Sequence, residues 1–221
     1  GVKPLDSWAF NVIPDYAPTI QLTKDVETTR RGAMKLLYQR EDDYGFASAE
    51  ARLERRPLDP GDPKTSWARE EILTGPRPPL ARPPKIVLRV PPRRAKKPET
   101  WSFHDIGSHP WAGLPVRMTL VARDHAGNVG RSQPTEVTLP ERLFFNPFAK
   151  AVIEQRRKLE FDPRYRPVVL KALKALTIAP DRFIKDKAVY LGLRSVYHRL
   201  QHGQSRTTIA SSIEQLWHIA L

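Results

Sequence analysis

Proline is spread so unevenly along this chain that it sets the architecture before any other signal: 18 of the 22 prolines lie in residues 1–140 and four in residues 141–221. Proline fixes φ and has no N–H to donate, so it interrupts helix interiors and central strands. A proline-dense stretch must therefore be built from short elements joined by turns, and the drop near Pro140 marks a change of fold type and a domain boundary. Charge shifts at the same point, from 22 basic against 17 acidic side chains before it to 15 against 7 after it.

The hydrophobic period changes there as well. Before Pro140 apolar residues alternate: Met34, Leu36, Tyr38; Ala47, Ala49, Ala51, Leu53; Ile86, Leu88, Val90; Val116, Met118, Leu120, Ala122; Val137, Leu139. Alternation puts one face of each strand in a core and the other in water. Shorter strands are expected at Phe10–Val12, Thr19–Leu22 and Trp101–Phe103. Glu41-Asp42-Asp43-Tyr44-Gly45 and Asp124-His125-Ala126-Gly127-Asn128 supply hairpin turns, with carboxylates that bond nearby backbone N–H groups and a Gly able to take positive φ. About seven short strands in such a length predict an immunoglobulin-like or fibronectin-like sandwich over residues 1–140. A Pro-rich insertion at about 56–84 interrupts it, with one helical turn expected near Ser66–Ile72.

After Pro140 the spacing is helical. Asn146-Pro147 is a cap-and-proline start ahead of Phe148, Ala151, Val152, Gln155 and Leu159 on one face. Asp162-Pro163 repeats that signal before Val168, Val169, Ala172, Leu173 and Leu176. Pro180-Asp181 opens a third segment, with Ile184, Ala188, Leu191 and Tyr197 toward the core and Gly203 closing it. Thr207 or Thr208 starts the fourth, which carries Ile209, Ile213, Leu216 and Trp217. The fold class is thus α+β by segregated domains, with a small antiparallel helical bundle over 141–221. The apolar ending Gln215–Leu221, without a stop signal, reads as an excised piece of a longer chain.

The 221 residues contain no cysteine, which excludes disulfide scaffolds, thiol catalysis and Cys-ligated metal sites. With a mean hydropathy of −0.51, no apolar run approaches the roughly 18–20 residues that cross a bilayer. The net charge is +13. Much of it comes from an acid-free run, Arg82, Lys85, Arg89, Arg93, Arg94, Lys96 and Lys97, and from helical basic residues that include Lys171 and Lys174 on one face. Such density suits anionic lipid or another polyanion; nucleic acid is disfavoured, because no reading module and no interleaved stacking aromatics accompany it.

Candidate chemistry is sparse. His198 and His202 are four apart on a helix and could share a metal, but Arg199-Leu200-Gln201 between them lacks the Glu of the protease pattern. His104, Asp105 and His109 form a looser group. Asp42, Asp43 and Asp124 could gather at one end of the sandwich around Ca²⁺ or serve only as turn formers. No nucleophile elbow, P-loop or dinucleotide fingerprint occurs, so no catalytic residue, cofactor or enzyme activity is expected. Trp111 is the choice for a binding aromatic. Alternatively Trp67, Trp101 and Trp111 would be platforms for cell-wall sugar.

Several strings in order carry a resemblance: Ala17-Pro18-Thr19-Ile20, Thr29-Arg30-Arg31-Gly32, Glu41-Asp42-Asp43-Tyr44-Gly45, His109-Pro110-Trp111-Ala112-Gly113-Leu114-Pro115-Val116, Leu120-Val121-Ala122-Arg123-Asp124-His125-Ala126-Gly127, Ile153-Glu154-Gln155-Arg156-Arg157-Lys158-Leu159 and Tyr190-Leu191-Gly192-Leu193-Arg194-Ser195. Together they resemble the long, membrane-anchored alphaproteobacterial proteins of domain-of-unknown-function family 4175. The two Asp-rich strings also resemble immunoglobulin-like repeats of bacterial surface proteins. The resemblance implies topology rather than activity, namely a large region on the periplasmic side of an inner membrane. The expected role is a non-catalytic interaction or scaffold region whose partner is another envelope protein or the rest of its own chain.

Overall fold

A computed structural model of the chain describes residues 14–56, 79–90, 99–178, 184 and 186–221. The expected strand at Phe10–Val12, the helical turn near Ser66–Ile72, the Pro180-Asp181 start, Trp67, Arg93, Arg94, Lys96 and Lys97 lie outside the described residues. Among the described residues nine strands precede the helices: β1 (Thr19–Leu22), β2 (Glu27–Thr28), β3 (Met34–Glu41), β4 (Phe46–Arg55), β5 (Ile86–Val87), β6 (Glu99–His104), β7 (Pro115–Asp124), β8 (Val129–Arg131) and β9 (Thr135–Thr138). All pairing is antiparallel. In one sheet β3 pairs with β1, β2 and β6; in the other the order is β5-β4-β7-β8, with β9 further along β7.

Alternation in the sequence becomes a shared core. Met34, Leu36 and Tyr38 of β3 meet Ala49, Ala51 and Leu53 of β4 and Val116, Met118, Leu120 and Ala122 of β7, together with Trp111 and Leu114. Full burial of each large apolar side chain contributes about 1.5–3 kcal/mol. One turn departs from expectation. Glu41–Gly45 does not close a hairpin, because β3 and β4 belong to different sheets; the apolar faces of both strands are satisfied only by facing one another across the core.

The helices are α1 (Pro147–Phe161), α2 (Arg166–Leu176), α3 (Lys187–His202) and α4 (Arg206–Ala220), with a 3-10 turn at Pro163–Tyr165. Asn146 and Asp162 cap as their sequence signals predict, accepting from the backbone N–H groups of Phe148 and Arg164 at 2.9 Å each. The third helix differs. Asp186 caps it, accepting from the Ala188 N–H at 2.7 Å, and its buried face is Leu193, Val196 and Leu200, leaving Leu191 64% exposed. Of the expected stripe, Ile184 is buried and Tyr197 packs on the helical core, whereas Ala188 and Leu191 face outward. Ser205, not Thr207 or Thr208, caps α4 through the Thr208 N–H at 3.1 Å.

Strands and helices are joined by buried polar contacts. Residues 79–90 form a strap that touches both halves: Leu80 packs on the helical core and Ala81 on the core of the sheets. The Ala81 N–H donates to Glu160 Oε1 at 2.9 Å, and its carbonyl accepts from Trp111 Nε1–H at 3.1 Å. Arg206 donates to the Pro79 carbonyl at 2.7 Å, and the Tyr38 hydroxyl donates to the Arg89 carbonyl at 2.8 Å. From α1, Arg156 donates to the Ser108 carbonyl at 2.8 Å and stacks 4.8 Å from the Trp217 ring centre. Arg55 of β4 donates to the Phe161 carbonyl. Glu160, Arg156 and Asp162 are each at most 4% exposed. Burial pushes the Glu160 carboxyl up, against the opposing pull of the Ala81 N–H and of Arg55 and Arg156.

Candidate functional site

Long side chains exposed in apolar clusters, and charges without opposing charges, are what a binding surface requires. Trp111 does not meet that description. It is 2% exposed and its indole N–H is bonded to the Ala81 carbonyl, so the expected binding aromatic is a core residue of the junction. The loop that carries it, His109-Pro110-Trp111-Ala112, turns inward because Leu114 and Trp111 both have core to fill.

The outer face of β3 and β6 is a different matter. Alternation places Lys35, Leu37 and Gln39 opposite the core, and the ladder pairs them with Phe103, Trp101 and Glu99. Lys35 Nζ sits 4.0 Å from the Trp101 ring centre and 2.8 Å from Glu27 Oε2. Leu37 is covered, whereas Phe103 is 59% exposed. Trp101 is exposed, with Lys35 stacked on it; of the three tryptophans expected as sugar platforms, Trp67 lies outside the described residues and Trp111 is buried.

A second apolar surface lies at the start of α1. Leu143, Phe145, Phe148, Ile184, Ile219 and Leu221 line a groove of about 510 Å³, with Arg142 and Asp186 at its margin. Phe145 is 87% exposed and Leu143 66%. Between them Phe144 turns inward, its ring edge-on to Trp217 at 5.8 Å. Sequence reasoning passed over this groove, although three consecutive apolar residues ahead of the Asn146 cap cannot all face one core.

The remaining candidates are surface groups. Arg89 is exposed at the end of the strap, with its side chain apart from the Tyr38 contact that its carbonyl makes. Lys171 and Lys174 share the exposed face of α2, as their spacing requires, near the exposed Ile178. His198 and His202 stack with ring centres 6.5 Å apart and planes 8° from parallel. Both are exposed, and among the described residues no three His, Asp or Glu side chains converge to hold a metal. His104 and His109 are separated by their own partners, Ser102 Oγ at 2.6 Å and the Trp111 N–H at 3.1 Å; burial lowers the affinity of both rings for a proton.

Two antiparallel sheets and, among the described residues, four α-helices define a mixed α+β protein whose accessible features are apolar and basic surfaces. The chain belongs to the family described as Domain of unknown function (DUF4175), whose model matches residues 1–221. Neither a comparison with curated proteins nor one with solved structures returned a match. No helix among the described residues is long and apolar enough to cross a membrane.

Proposed function

We propose that this chain is a non-catalytic interaction and scaffold region of an inner-membrane-anchored envelope protein, held on the periplasmic side. In this reading the two sheets are the layers of an immunoglobulin-like sandwich, residues 141–221 are a helical bundle, and the two domains act as one rigid body. The observation that carries it is the junction. Glu160, Arg156, Trp111 and the strap fix the outer face bearing Phe103 relative to the groove bearing Phe145, and a fixed spacing between two apolar surfaces is what a scaffold supplies. The partner is another envelope protein or a further part of its own chain.

The test is binding by the immobilised full chain to proteins of solubilised envelope membranes, followed by reconstitution with the purified partner. Phe145→Asp puts a charge into the groove and should weaken that binding at least tenfold, as loss of a central aromatic anchor does, with unchanged circular dichroism. Equal binding by the wild type, Phe145→Asp and Phe103→Asp would sink the proposal.

A second reading is favoured by α2 and α3: exposed Ile178 follows the end of α2 and exposed Leu191 lies on α3, and these helices also expose Lys171, Lys174, Lys187 and Arg194. Apolar side chains among cations suit a surface of anionic lipid. Retention on vesicles rich in phosphatidylglycerol should fall steeply with salt and drop at least tenfold in a Lys171→Glu, Lys174→Glu double variant. Retention that is absent at low salt, or indifferent to salt, removes this reading.

A further inference from the structure

A two-fold contact between identical chains sets one surface patch against itself, so residue i meets residue j and j meets i. A patch fit for that contact must carry a projection and the hollow that receives it, and both members of any charged pair. The groove at the start of α1 carries all of these. Its hollow of about 510 Å³ is walled by Phe148, Ile184 and Ile219, and clefts of roughly 300–1,000 Å³ hold apolar groups larger than one side chain. Its projection is Phe145, 87% exposed, with Leu143 and Leu221 also exposed along the same groove.

The chain on both sides of Phe145 is anchored. Phe144 turns inward onto Trp217, and Asn146 caps α1 by accepting the Phe148 N–H at 2.9 Å; a projection positioned before contact loses less conformational freedom on binding. The margin carries one charge of each sign. Arg142 is exposed and lies over the Phe144 ring, 5.8 Å from its centre. Asp186 is exposed too, and its Oδ1 is occupied by the Ala188 N–H at 2.7 Å, which leaves Oδ2 for another donor. Among the described residues no ion pair involves either of them. The other apolar surfaces lack this balance. Beside Phe103 the cation Lys35 is already paired with Glu27, and Ile178 and Leu191 sit among exposed cations, Lys171, Lys174, Lys187 and Arg194, which repel their own copies.

We propose that this groove docks a second copy of the chain in a two-fold dimer, each Phe145 entering the other's hollow and each Arg142 facing the other's Asp186. The inference rests on the groove being an interaction surface, as proposed above, and names its occupant. The interface is small. Stable complexes bury about 800 Å² on each partner, whereas this patch is one groove and its rim, so association is reversible, with a dissociation constant of about 10⁻⁵ M. Phe103 takes no part in the contact. The dimer therefore presents the outer sheet face twice, and an envelope partner with two matching sites gains avidity from it.

Sedimentation equilibrium of the full chain over about 1–200 µM, in about 0.15 M salt to screen its net charge of +13, should show monomer passing to dimer. Phe145→Asp should weaken the dimer at least tenfold, and Phe103→Asp should leave it unchanged. Arg142→Gln and Asp186→Asn, the latter keeping the helix cap, should each weaken it about fivefold, because each removes both exposed pairs of the dimer. The double variant should be no weaker than either single one, since the same pairs are already lost. A chain still monomeric at about 200 µM, a dimer indifferent to Phe145→Asp, or additive losses in the double variant overturns the proposal. A monomeric chain that binds an envelope protein through Phe145 overturns it too, while the groove keeps its wider role as a docking surface. A dimer lost in Phe145→Asp, with no envelope protein captured by either form, supports the dimer and removes that wider role.

Discussion

Glu160→Ala should destabilise the chain by about 3–5 kcal/mol, the range for removing one member of a buried charged group. Glu160 is 1% exposed, its Oε1 accepts the Ala81 N–H of the strap, and it faces Arg55 and Arg156. Alanine takes away the acceptor and a negative charge that both guanidinium groups feel. Glu160→Gln keeps an acceptor for Ala81 and should cost less, about 1–3 kcal/mol. The pH dependence separates charge from hydrogen bonding. Because burial raises the carboxyl above its unfolded value of 4.5, its contribution is fully present below that value and is lost as pH rises through the folded value. The wild type should therefore gain on Glu160→Gln as pH falls. Urea unfolding of both variants across pH checks this, and a Glu160→Ala protein within about 1 kcal/mol of wild type would show that the junction contributes little.

Gly130→Ala should cost about 3 kcal/mol or prevent folding, at the upper end of overpacking effects. Gly130 lies in β8 opposite Ala122, and a Cβ there would stand 1.6 Å from the Pro18 carbonyl oxygen and 2.7 Å from its carbon. Both are backbone atoms, so β8 and the entry to β1 would have to separate. Gly127→Ala is the matched control. Its Cβ would meet nothing within 4 Å, but its φ of +96° is one that side chains disfavour, and about 1 kcal/mol is expected. Thermal unfolding of the pair distinguishes steric conflict from conformational preference; equal costs would refute the close approach of Pro18 to Gly130.

What could be read from the sequence was local. Asn146-Pro147 and Asp162-Pro163 announce helix starts because a cap needs only its next two or three residues, and alternating Met34, Leu36 and Tyr38 announce an inward face because strand period is fixed. Leu191 failed for the same reason in reverse: without knowing that Asp186 begins α3, Ala188, Leu191 and Tyr197 fit a stripe about as well as Leu193, Val196 and Leu200. The turn at Glu41–Gly45 has hairpin chemistry, yet its strands part into separate sheets, which only long-range pairing decides. Glu160 and Arg156 look like ordinary polar positions of an amphipathic helix, and their burial depends on a strap some eighty residues earlier. The groove at Phe145 left a visible trace, an apolar run too long for one face. Asp42 and Asp124 were legible as turn formers, and each accepts a backbone N–H of its own turn.

Phe161 packs against the core of the helices and the core of the sheets alike. A side chain shared in this way limits how such a region can be rearranged over generations. The helical half cannot be transplanted onto another sheet framework as a free-standing cassette, because it would arrive without the Arg55 and Trp111 surfaces that receive it. The smallest unit of exchange runs from β1 through α4, so shuffling should move both halves together and preserve the strap between them.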